Sequence, residues 1–211
     1  MYDLIYTNGC SFTGDRIINN RYPEILEQRL HISVINRALA GCCNRRIIRS
    51  TVADIVSLPK NTLVLIQLTL WGRTEIESTG DPNTLWRKDP DDYFESIKPK
   101  DPSPYYSSWL RTHSIQTEFQ NLTTDLYMLT ALLRLQGLDY CIFCWVDDFK
   151  VISKDHRIYQ RLKQDPRVLD LIDFSVLKEI SDKNLYYDGY HLTQEGHEIF
   201  AQWIIKHVLP V

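Results

Sequence analysis

No stretch of this 211-residue chain approaches ~18 consecutive apolar residues, so no membrane-spanning helix is expected. The N-terminal MYDLIYTNGC lacks a basic leader and a long apolar segment. No secretory signal is therefore expected, and the chain reads as cytoplasmic. Neither sign of charge is in large excess: the net charge is −3, which removes any global pull toward nucleic acid or anionic lipid. A local cluster, Arg45, Arg46 and Arg49, reads as the solvated face of a helix. Cysteine is present five times, an odd count without the spacing of a disulfide framework. Cys141 and Cys144 form C-x-x-C, but inside the apolar run 140–146, where positions three apart point to opposite faces of a strand. No second ligand pair accompanies them, so buried thiols are expected and no metal site. Asp147-Asp148 also lack a third ligand and read as a loop or helix cap.

What is present suits one well-packed domain, 1–211. A short strand is expected over 2–7. The spacing of Tyr22, Ile25, Leu26 and Leu30 predicts a helix over 22–30. A second strand follows at 31–36. Ile47, Ile48, Val52, Ile55 and Val56 predict a helix over 45–58, stopped by Pro59. Residues 62–70 are almost continuously apolar, as in a strand buried on both faces. Residues 72–112 hold five prolines and many aromatics, and read as an irregular ordered insertion beside a cleft. The longest helix is expected over 114–136, ended by Gly137, with a fourth strand at 138–146. A helix near 154–163, a weak fifth strand near 168–172 and a last helix from Thr193 to about 208 complete the pattern. Strands alternating with helices give an α/β sandwich with a mostly parallel sheet. Its ligands bind at the carboxyl ends of the strands, which turns attention to loops 8–14, 37–44 and 69–75.

The first of these loops contains Gly9-Cys10-Ser11-Phe12-Thr13. Alone it reads as a turn. The far end of the chain carries Asp188-Gly-Tyr-His191, just before the last helix. A histidine acting as base needs an acceptor that fixes its tautomer, and a carboxylate nearby in the chain can supply it. If that helix packs beside the first strand, His191 can reach Ser11.

These motifs together resemble the SGNH (GDSL-type) hydrolase superfamily. Its Gly-Asp-Ser turn corresponds to Gly9-Cys10-Ser11. Its glycine after the second strand corresponds to Gly41 in Asn36-Arg-Ala-Leu-Ala-Gly41-Cys-Cys-Asn44. Its Asp-x-x-His-x-x-x-x-Gly block corresponds to Asp188 through Gly196. The resemblance implies a flavodoxin-like three-layer α/β/α sandwich with a mostly parallel five-stranded sheet. It implies Ser11 as nucleophile, His191 as general base and Asp188 as its orienter. The N–H groups of Ser11 and Gly41 would bind the oxyanion. The superfamily's third block, Gly-x-Asn-Asp, is absent; Gln67-Leu-Thr-Leu-Trp-Gly-Arg73-Thr-Glu75 stands there. Thr69, Asn44 or Arg73 are the candidates to replace its asparagine donor. Arg73 pairs with Glu75 or contacts substrate, and Trp71 is a candidate substrate contact. Cys10 reads as a buried thiol rather than a rival nucleophile.

The resemblance implies a serine esterase that needs no metal or cofactor, acting on a short-chain ester, with an O-acetyl group on a carbohydrate as the leading substrate. No nucleic acid or membrane partner is expected, and the oligomeric state is left open. Two alternatives stay open at this point: a binding module that has lost catalysis, and an acyltransferase using the same triad.

Overall fold

The computed structural model describes residues 2–14, 18–71, 73–77, 94–97, 114–145, 155–180, 183–187 and 191–209. The chain begins with β1 (Leu4–Asn8), a single turn of helix α1 (Ser11–Gly14), α2 (Tyr22–Leu30), β2 (Ser33–Asn36) and α3 (Asn44–Ile55). Then come β3 (Thr62–Leu68), β4 (Thr74–Glu77), β5 (Phe94–Ile97), the long α4 (Ile115–Gln136) and β6 (Asp139–Cys144). The last part holds α5 (Arg157–Leu162), α6 (Val176–Glu179), a 3-10 turn at Lys183–Leu185, and α7 (Gln194–His207).

The main sheet is parallel, in the order β2-β1-β3-β6. β3 is buried along its whole length, as its apolar run requires, whereas the edge strand β2 alternates between exposed and half-buried residues. Helices cover both faces, giving three α/β/α layers. α2 packs on α7, and α3, α4 and α5 pack in series. The chain moves from β1 to β2 on one side, then to β3 on the other. The strand order therefore reverses at β1, which makes the carboxyl ends of β1 and β3 the place where folds of this kind bind ligands.

Local chemistry sets the element ends. Ser114 caps α4 by accepting the Thr117 N–H, and Gly137 ends it at φ 70°. Leu138 N–H then returns to the Leu133 carbonyl, a Schellman closure. Thr193 caps α7 by accepting the Gly196 N–H at 3.2 Å.

Three features differ from the sequence reading. The expected fifth strand at 168–172 is reduced to a single parallel bridge between Val168 and Ile142. Asp170 cuts it short: its Oδ1 accepts the N–H groups of Ile172 and Asp173 and turns the chain. The stretch 72–112 is not wholly irregular, because β4 and β5 pair as an antiparallel ribbon. Its prolines and the aromatics Trp86, Tyr93, Tyr105, Tyr106 and Trp109 lie outside the described residues, as do Asp147 and Asp148. Finally, the loop after β1 contains the helical turn α1. All five cysteines are buried free thiols. Among the described residues, no helix is long and apolar enough to cross a membrane.

Candidate active site

β1 carries residues 8–11 to its carboxyl end, and successive amides there have different fates. The Gly9 N–H donates to the Asn8 side-chain oxygen at 2.9 Å. The Cys10 N–H donates to Gln67 Oε1 at 3.0 Å. The Ser11 N–H, at the start of α1, has no hydrogen-bond partner among the described residues. Asn8 is itself fully buried, its amide donating to Ser50, Thr51 and the Ile47 carbonyl on α3. The Cys10 carbonyl accepts the Thr13 and Gly14 N–H groups and closes the turn.

His191, 180 residues away in the chain, places Nε2 at 2.9 Å from Ser11 Oγ. Packing of α7 on α2, rather than the packing beside β1 that the sequence reading assumed, brings it there. Its ring lies between two aromatic faces. Phe12 is tilted against it at 4.7 Å between centroids, and Tyr187 stacks at 5.6 Å. Phe12 in turn stacks on Trp145 at 4.8 Å. Asp188 lies outside the described residues. Gly196 makes the turn into α7 compact: a Cβ there would stand 2.7 Å from the Leu185 carbonyl oxygen.

The loop after β2 is tied to the same turn. Leu39 N–H and the Cys42 thiol both donate to the Gly9 carbonyl, at 3.0 and 3.3 Å. Burial pushes the Cys42 thiol well above its ordinary range, so it stays protonated and remains a donor. Gly41, in this loop, adopts φ 84°, a left-handed conformation suited to glycine. Its N–H has no hydrogen-bond partner among the described residues either.

The loop after β3 holds the remaining candidates. Asn44 and the Thr69 backbone form a two-way clasp: Asn44 Nδ2 donates to the Thr69 carbonyl at 3.0 Å, and Thr69 N–H donates to Asn44 Oδ1 at 2.8 Å. Arg73 donates from Nη1 to Thr69 Oγ1 at 3.0 Å and to the Cys42 carbonyl at 3.4 Å. Arg73 therefore does not pair with Glu75. Glu75 binds Arg49 at 2.9 Å, because α3 lies against β4. The arginine cluster is accordingly not one solvated face. Only Arg45 is exposed; Arg46 is buried, donating to the Arg37 carbonyl at 2.8 Å. Trp71 is half-buried against the core and shares a cavity with Asn44, Arg45, Arg73 and Asp125 between α3 and α4.

Four residues of this arrangement were not singled out from sequence: Asn8, Phe12, Gln67 and Tyr187. For Gln67 a signal exists, since it is the one amide in an otherwise apolar, fully buried strand and must find partners there. Asn8 gives a weaker one as a polar strand end. Nothing in the spacing of Phe12 and Tyr187 marks them as neighbours of His191. Among the described residues, no group of three histidines, cysteines or carboxylates could hold a metal ion.

No protein-family model matches the chain, and no curated protein matches it. Solved structures do. A psychrotrophic esterase, EstA from Pseudoalteromonas, aligns with 98% of this chain and 96% of its own at 12% identity and TM-score 0.59. A member of the lipolytic protein G-D-S-L family from Veillonella parvula aligns over 96% of each chain at 11% identity and TM-score 0.53. The acetyl xylan esterase AlAXEase aligns with 98% of this chain and 100% of its own, at 13% identity and TM-score 0.55. The chain has the three-layer α/β/α fold of the SGNH (GDSL-type) hydrolases.

Proposed function

We propose that this protein is a serine esterase of the SGNH type that works through an acyl-enzyme on Ser11. The observation that carries this reading is the 2.9 Å contact between Ser11 Oγ and His191 Nε2 at the carboxyl end of β1, where the strand order reverses. That distance is within the range in which a general base takes a proton from a nucleophile.

In the first half-reaction, Ser11 Oγ attacks the ester carbonyl carbon and passes its proton to His191 Nε2. Asp188, which the resemblance makes the orienter, would accept from the other ring nitrogen and hold the tautomer. The carbonyl oxygen becomes an oxyanion. The unpartnered N–H groups of Ser11 and Gly41 receive it, and each such donor is worth ~10²–10³ in rate. Collapse breaks the bond to the alcohol oxygen, which leaves with the His191 proton. Water then repeats the sequence: His191 takes its proton, the hydroxide attacks the acyl carbon, and Ser11 is regenerated with the proton returned. No step calls for a metal or cofactor.

A third oxyanion donor would come from Asn44 or Thr69. The Thr69 N–H is committed to Asn44, so the contribution left to these residues is the second amide hydrogen of Asn44 or the Thr69 hydroxyl. Arg73 and Trp71 would border the substrate beyond them. A short acyl group on a carbohydrate is the favoured substrate class. The alignments with an acetyl xylan esterase and with a carbohydrate esterase (TM-score 0.52) support it.

The test is hydrolysis of p-nitrophenyl acetate, with fluorophosphonate labelling, by the wild type, Ser11→Ala and His191→Ala. The expected result is turnover and Ser11 labelling in the wild type, both reduced to background in the folded variants. A wild type that neither turns over nor labels sinks the proposal. Acetylated xylo-oligosaccharides then test the substrate class.

A further inference from the structure

We infer that Gln67 is a positioning residue for Ser11: from the neighbouring strand it fixes the backbone turn that aims the nucleophile and leaves the Ser11 N–H open. This rests on the serine-esterase reading.

Gln67 lies in β3, is fully buried, and interrupts an apolar strand. An amide in that place is costly unless each of its groups is paired. Both are. Oε1 accepts the Cys10 N–H at 3.0 Å and the Thr13 hydroxyl at 3.2 Å, while Nε2 donates to the Leu68 carbonyl. The orientation of the amide is therefore forced, since the Cys10 N–H can only donate and the Leu68 carbonyl can only accept. Thr13 spends its proton on Gln67, so the Tyr22 hydroxyl, 3.1 Å away, donates to Thr13. A relay thus runs from α2 through α1 to β3.

The two groups that Gln67 grips flank Ser11, at positions 10 and 13. One acceptor atom therefore sets the pitch of the turn on both sides of the nucleophile. It also separates the amide that is used structurally, at Cys10, from the next one, at Ser11, which has no partner among the described residues. The fit is close: a Cβ on Gly9 would stand 2.6 Å from Gln67 Oε1 and 3.0 Å from Gln67 Cβ. Gly9 is needed because Gln67 is there. Rate is sensitive to such placement, with a shift of ~1 Å costing on the order of 10²-fold.

The experiment compares the wild type, Gln67→Met and Gln67→Glu by kcat and KM for p-nitrophenyl acetate and by the fluorophosphonate labelling rate. Methionine keeps the length and removes both hydrogen-bonding groups. Glutamate keeps the acceptor toward Cys10 and Thr13. Burial favours its protonated form, which can still donate to Leu68. The expected result for Gln67→Met is a kcat and a labelling rate lower by about 10²-fold with KM within about twofold. Gln67→Glu should recover at least about tenfold of that loss. A folded Gln67→Met variant with kcat within about threefold of wild type overturns the inference, as does an equal loss in both variants. If Gln67→Met does not fold, Thr13→Val decides: a kcat lower by about fivefold or more at unchanged KM supports the clamp, and an unchanged kcat overturns it. A wild type without turnover or labelling takes down the esterase reading as well, whereas an active wild type beside an equally active Gln67→Met takes down the role of Gln67 alone.

Discussion

Gly9→Ala adds one methyl group to the closely packed turn that carries Ser11. The new carbon would stand 2.6 Å from Gln67 Oε1, 2.7 Å from Thr13 Oγ1 and 3.0 Å from Gln67 Cβ. Ordinary contact begins near 3.4 Å, so the first two atoms must withdraw by 0.7–0.8 Å. Gly9 is not among the residues with positive φ, so the cost is steric and not conformational. Neither contact atom is the loose end of a surface side chain. Gln67 Oε1 holds the Cys10 N–H, and Thr13 Oγ1 is held by Tyr22. Overpacking of this kind typically costs about 1–3 kcal/mol. For a domain of this size that lowers Tm by roughly 2–4 °C per kcal/mol. The withdrawal also moves the turn bearing Ser11, and a displacement approaching ~1 Å corresponds to about 10²-fold in rate. Urea unfolding reads the first effect and the fluorophosphonate labelling rate the second. A Gly9→Ala protein with wild-type stability would falsify the close-packing claim. One that is destabilised yet labels at the wild-type rate would instead show that the turn absorbs the strain without moving its serine.

Gly41→Ala forces a side chain into a left-handed conformation, costing about 1–3 kcal/mol. It should also slow acylation, by as much as ~10²–10³ if the N–H is displaced, which stopped-flow p-nitrophenol release would show. The buried thiols should be inert in the native state. Burial pushes Cys141 up to about 12, so at about pH 8 its thiolate fraction is roughly 10⁻⁴. Ellman's reagent should find none of the five cysteines in the native protein and all five in concentrated guanidinium chloride. Acid should destabilise the chain through Asp165. Burial alone would raise its pKa, but hydrogen bonds from Tyr140, the Arg167 amide and Arg134 together hold it below the usual carboxylate range. A depressed native pKa means stability that is present above the unfolded value of ~4 and lost as pH falls through the native one. Tm should therefore drop below about pH 4, and less steeply in Asp165→Asn.

Much of this architecture is legible in the sequence because it rests on local periodicity. The 3/4 spacing in α4 and the Gly137 stop are read directly, and the nearly continuous apolar run of β3 marks it as central. The Asp-x-x-His block before a capped helix pointed to His191, and the resemblance joined it to Ser11. What was not legible depends on contacts between distant residues. Glu75 chooses Arg49 over Arg73 because α3 lies against β4, which no spacing reveals. The fifth strand failed because Asp170 offers its carboxylate to two backbone amides and turns the chain. Gln67 could have been questioned as a lone amide in a core strand, but its partners at Cys10 and Thr13 are more than fifty residues away.

The separation of 180 residues between Ser11 and His191 has a consequence for biosynthesis. Ribosomes add about 5–20 residues per second, so the serine emerges on the order of 10–40 s before the histidine that would activate it. During that interval the strand end bearing Ser11 has no base beside it. A nascent chain stalled before His191 is made should carry a serine of ordinary reactivity. On the serine-esterase reading, Ser11 therefore gains its base only after residue 191 has been made and packed against it.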